Sequence, residues 1–114
     1  MKRLLKAFLY ACVLAFVSLI GVSLLWDNPL ILTLALIMLS AVMMFASREK
    51  HDIYLFAIAG LSGAIAEMMA IWSGAWQYAF PNLLGIPYWL PFLWGFAALF
   101  IRRMSLEIDS FLGR

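Results

Sequence analysis

Hydrophobic positions along this chain gather into four long, nearly unbroken runs separated by short polar or proline-marked stretches. The runs cover residues 4–25, 30–46, 53–72 and 88–101. Apolar on every face, they lack the polar stripe of a helix lying on a water-soluble core. Each predicts a transmembrane helix, since crossing a hydrocarbon layer of about 30 Å takes about 20 apolar residues. The second run is near the lower limit. The fourth is short for a full crossing unless the helix starts earlier or the membrane is locally thin. The first is too long for the apolar core of a signal peptide, and no A-x-A site precedes Asp27.

The breaks carry turn chemistry. Asp27-Asn28-Pro29 predicts a tight connection with Pro29 opening the second helix. Residues 47–52 (SREKHD) form the only dense charge cluster in the middle of the chain and predict a short polar loop. Residues 73–87 carry no charge; Pro81, Pro87 and Pro91, with Gly74 and Gly85, predict an irregular, aromatic loop rather than a continuous helix. Arg102-Arg103 end the fourth run, and residues 104–114 predict an amphipathic tail offering Leu106, Phe111 and Leu112 to the membrane interface.

Composition strengthens this picture. Of 114 residues, 67% are hydrophobic and 12% charged, against about 45–50% and about 25% in soluble domains. The net charge of +2 matters less than its placement. With four spans, all eight lysines and arginines (Lys2, Arg3, Lys6, Arg48, Lys50, Arg102, Arg103, Arg114) fall on one side. The positive-inside rule makes that side cytoplasmic, so both termini face inward and the aromatic loop faces outward. The expected fold is an all-α integral membrane protein: one domain over 1–114, a four-transmembrane-helix bundle in the cell's inner membrane. Bases confined to the ends of apolar runs argue against nucleic-acid binding. Cys12, the single cysteine, reads as a small buried hydrophobe. One histidine, His51, makes neither a bis-histidine haem site nor a zinc set, and no metal or cofactor is expected.

Candidate chemistry centres on Glu67, the one ionisable group deep inside an apolar run. A carboxyl in hydrocarbon costs about 2.5–3.5 kcal/mol and normally faces protein or a wet cavity. Three roles are open to it: a packing hydrogen bond, for instance from a tryptophan N–H; a proton donor and acceptor; or a counter-charge to a cation. Ala57, Gly60 and Ala64 share its helix face and Gly63 broadens it, so these small residues predict a close helix–helix seam. Trp72, Trp76, Tyr78, Phe80, Tyr88, Trp89 and Trp94 follow. They read either as an interfacial aromatic belt or as the wall of a site for an apolar, polyene or cationic ligand. Asp52 reads as a loop residue.

The segment EMMAIWSGAWQY, followed by LGIPYWLPFLW, resembles membrane carotenoid-biosynthesis proteins of the carotenoid 1,2-hydratase type. The matching positions are Glu67, Ser73, Gly74, Trp76, Tyr78, Leu84, Gly85, Pro87, Pro91 and Trp94, within residues 60–94; Ala70 stands where that family usually has glycine. The resemblance implies a shared helix–loop–helix unit and an isoprenoid-like ligand. It also implies that a protonated Glu67 donates to an alkene while Trp76 and Tyr78 stabilise the cation. Two other classes stand beside it. The first is a proton-coupled transporter of lipophilic cations: a four-span chain with one membrane glutamate is similar to the small multidrug resistance family, whose glutamate lies in the first span, where this chain has none. The second is a non-catalytic accessory subunit packing through Gly60, Gly63 and Ala64. A parallel homo-oligomer fits any of the three.

Overall fold

The computed structural model describes residues 2–47, 49–79 and 81–113. Arg48 and Arg114, counted above for orientation, and Phe80, counted among the aromatics, lie outside them. Four helices follow in order: α1 (Lys2–Leu25), α2 (Pro29–Ser47), α3 (Asp52–Trp72) and α4 (Leu90–Phe111). Three of them are long and apolar enough to cross a bilayer, over Leu5–Leu25, Pro29–Ala46 and Asp52–Trp72. The molecule extends 45 Å along its long axis, more than the hydrocarbon thickness of about 30 Å. The wealth of exposed leucine, isoleucine and phenylalanine on α1, α2 and α3 suits lipid as the solvent.

Local chemistry sets the helix ends. Asn28 N–H closes on the Leu25 carbonyl (2.8 Å), and its own carbonyl accepts from Leu32 (3.1 Å). Pro29 therefore stands in the first turn of α2, where its missing N–H has no helical partner to lose. Pro91 plays the same part in α4, with Trp89 at the N-cap. The fourth helix does not end at Arg102-Arg103. It runs unbroken to Phe111, so the stretch expected as a separate tail continues the same rod. Its first half is apolar and its second carries Arg102, Arg103, Glu107 and Asp109.

Helix α4 is the hub, packing on α1, α2 and α3, whereas the extensive contact of α3 is with α4 alone. Glycines make that contact close. A Cβ at Gly60 would stand 2.8 Å from the Pro91 carbonyl oxygen, and one at Gly95 would stand 2.6 Å from the Phe56 ring. A Cβ at Gly63 would overlap the Trp94 side chain. Gly60, Gly63 and Ala64 are buried as expected of a small-residue seam. Ala57 is exposed, and Phe56 takes the place in the seam that spacing suggested for it. On a helix apolar all round, a shared face can be drawn in more than one way, and only the partner chooses.

Two apolar clusters fill the interior. The one toward the end expected to face inward, called the inner end on that expectation alone, joins Ala11, Met43, Phe96 and Leu99. The outer one joins Leu32, Leu36 and Ala64 to Ile86, Trp89 and Leu90, so the α3–α4 loop is part of the core. At the inner end Asp52, expected as a loop residue, opens α3 and is only 4% exposed. Arg102 Nε lies 3.2 Å from its Oδ1, and Arg102 Nη2 lies 3.8 Å from Glu49 Oε2. An arginine read as the stop of a span thus ties α4 to the foot of α3. The negative charge also sits in the first turn of α3, where the helix dipole favours it.

Candidate functional site

The site is made by the way α3 ends. Gly74 adopts φ +88, a left-handed conformation that glycine takes without Cβ strain. Its N–H donates to the Ile71 carbonyl, and Ala75 N–H reaches back to the Ala70 carbonyl, each at 3.0 Å. This bond pair is a Schellman turn. Ser73 adds a hydroxyl bond to the Ala70 carbonyl (2.8 Å). The chain reverses and passes back over the last turns of α3.

That reversal carries Trp76 and Tyr78 onto Glu67. Trp76 Nε1–H and Tyr78 O–H both donate to Glu67 Oε2, each at 2.9 Å. Glu67 is partly rather than deeply buried, and the loop covers it. Hydrogen bonds to an ionised acceptor are stronger than neutral ones, and two of them fix the carboxyl's orientation. Both fall on one oxygen; Oε1 has no protein partner among the described residues. Tyr78 lies in the loop, beyond the end of α3. Its burial, reinforced by the bond to Glu67 and by the glutamate charge, pushes the phenol up to about 12, with Trp76 pulling the other way.

The rest of the loop locks this arrangement. Leu83 and Ile86 exchange backbone hydrogen bonds (2.7 and 3.0 Å) around Leu84 and Gly85. Both central residues have positive φ, +52 and +97, the pattern of a type I′ turn. Gly85 lies against Ile71 and Trp72, so α3 buttresses the turn. Asn82 acts as a staple: its Oδ1 accepts from Tyr88 N–H at 2.8 Å. Ile86 and Pro87 are fully buried beneath.

The expected aromatics part company. Trp76 and Tyr78 meet Glu67, and Trp89 is 4% exposed, edge-on to Tyr78 with ring centroids 6.4 Å apart. Trp72 is exposed against the Gly85 turn, Tyr88 packs half-buried at the outer cluster, and Trp94 covers Gly63, sealing the seam. A cavity of about 280 Å³ opens between the outer end of α1 and the loop, walled by Val22, Ser23, Trp26, Tyr78, Pro87 and Trp89. Sequence reasoning missed the contribution of Val22 and Ser23, which nothing in the apolar run of α1 distinguishes from their neighbours. It also missed that Trp89 Nε1 is buried without an acceptor among the described residues. Such an unanswered donor costs about 1–3 kcal/mol.

No group of three or more metal-ligating side chains comes together among the described residues. No family model, curated protein or solved structure matches this chain.

Proposed function

We propose that this chain is a four-span protein of the cell's inner membrane, with both termini cytoplasmic, whose outer end binds an apolar, isoprenoid- or lipid-like ligand beside Glu67. The apolar first half of α4 and its central place among the other helices support a fourth crossing. The gathering of bases at the same ends of the apolar runs supports the orientation. One observation carries the ligand site: Tyr78 is shared, its hydroxyl on Glu67 and its ring on the wall of the aromatic cavity. A ligand in that cavity touches the same side chain that holds the carboxyl. Small cavities with mostly apolar walls and few polar groups are how proteins take such ligands.

The test is mass spectrometry of small molecules that co-purify with the detergent-extracted protein, compared with a Val22→Trp variant that fills the cavity. The expected result is an apolar species present in the first and depleted in the second. Equal recovery from both would overturn the reading.

The open Oε1 favours a second reading, in which Glu67 exchanges its proton for a lipophilic cation. Proton release on adding tetraphenylphosphonium, lost in Glu67→Ala, would select it over simple ligand binding. Catalysis is tested by Glu67→Gln: unchanged turnover of a reconstituted polyene substrate excludes this carboxyl as the proton donor.

A further inference from the structure

Resting on that reading of the outer cavity, we infer that its ligand enters tail-first: the wall receives the unsubstituted hydrocarbon end of a long chain, and the polar head stays outside. The polar groups of the inner wall are all withdrawn from use. The Tyr78 proton is committed to Glu67 at 2.9 Å. The Ser23 hydroxyl proton is committed to the Leu19 carbonyl, also at 2.9 Å. Trp89 Nε1 is sealed inside the protein, where no ligand atom reaches it. Pro87 has no N–H to offer, and its carbonyl accepts from Leu90 N–H at 3.1 Å. The side chains of Val22 and Ala79 present only carbon.

A polar group pushed against such a wall gives up its water and finds no partner in return. A methyl end loses nothing and gains contact with the rings. No charged side chain lines the cavity, and Glu67 is not part of the lining: Tyr78 stands between the carboxyl and the ligand. Glu67 is thus a positioning residue for this cavity, holding the phenol in its wall. Trp26 is the exposed member of the lining (42%) and Trp89 the closed one (4%), so depth runs from the first to the second. A tryptophan just past the end of a span suits the head-group level, where the ligand's own polar end remains hydrated. The ligand class is therefore a long-chain amphiphile selected by its bare isoprenoid or acyl terminus, with the head left unread.

The experiment uses the full chain in fully deuterated phosphocholine micelles, the protein itself deuterated except on its tryptophan and tyrosine rings. Trp26→Phe, Trp89→Phe and Tyr78→Phe assign the ring signals. The probes are 1-decanol, 1,10-decanediol and decane. The expected result is a nuclear Overhauser contact from the Tyr78 and Trp89 rings to the terminal methyl of decanol, and none to its carbinol methylene. Decane should give the same methyl contacts. Decanediol, which has no bare end, should bind roughly tenfold more weakly than decanol. Val22→Trp, which fills the cavity, should abolish the methyl contacts; should that variant fail to fold, the contact pattern in the unaltered chain decides the point by itself. Carbinol contacts as strong as methyl contacts, or equal binding of decanediol and decanol, would overturn the inference while leaving the cavity reading intact. No contact from Trp26, Tyr78 or Trp89 to any probe, or contacts unchanged in a folded Val22→Trp, would overturn the two together.

Discussion

Helix α3 carries an acid near each end, and the two are held in opposite ways. Glu67, near the outer end, is partly exposed and clasped by two neutral donors that follow it closely in sequence. Asp52, at the inner end, is 4% exposed and faces a full positive charge on Arg102, far along the chain. The inner contact is long-range and binds two helices into one unit. The outer one is local and shapes a loop. In the first, the acid serves the fold. In the second, it keeps an oxygen free. An acid in an apolar run draws attention from sequence, but here the more buried acid is the one that borders a polar loop.

The comparison can be tested at four places. The largest effect is expected from Asp52→Asn. Losing one partner of a fully buried pair costs about 3–5 kcal/mol, and of an exposed pair about 0–1. Arg102 is itself 40% exposed, so a loss on the order of 2 kcal/mol is expected in denaturant unfolding from micelles. Glu67→Gln, which keeps an acceptor for both donors, should cost clearly less; equal losses would break the contrast.

Gly60→Ala comes next, because it strikes the seam between the two ends. Its Cβ would press on the Pro91 carbonyl, which is backbone and cannot swing aside. A cost of about 1–3 kcal/mol is expected for such overpacking. Gly63→Ala meets the Trp94 Cβ and Cγ, the root of a side chain fixed to α4, and should cost a similar amount in the same unfolding assay.

Tyr78→Phe removes one of the two bonds to Glu67 and should cost about 1 kcal/mol. It also carries a pH signature. Folding raises the Tyr78 phenol from its ordinary value near 10 to about 12, so the folded chain holds that proton more tightly than the unfolded one. The resulting stability is intact below pH 10 and is lost as pH rises through 12. Tyrosinate absorbance should show one of the four tyrosines titrating late, and Tyr78→Phe should abolish both the late titration and the alkaline loss.

The smallest effect, and of opposite sign, is expected from Leu84→Asn. Leu84 holds φ +52 while 68% exposed. Asparagine ahead of Gly85 suits a type I′ turn, so a gain of about 0.5–1 kcal/mol is expected, confined to the outer end.

The helices were legible because long apolar runs and turn residues are local signals: residues 30–46 and Pro29–Ser47 differ only at their edges. The course of α4 past Arg102 was not, because what answers that arginine is Asp52 and Glu49, which lie far away in sequence. Glu67 and the two rings that hold it were visible as types near one another. Their pairing depended on the turn at Gly74, whose conformation the glycine permits but does not dictate. Trp89 was one tryptophan among five, and its burial comes with a cluster that joins it to Leu32, Leu36, Ala64, Ile86 and Leu90 from three other parts of the chain.

The Schellman turn has a bearing on the order of folding. Trp76 and Tyr78 stand only 9 and 11 positions after Glu67, and contacts of such short span close quickly. The glutamate's two donors thus come from its own segment, and the pairing closes over a shorter stretch of chain than any contact between α3 and α4.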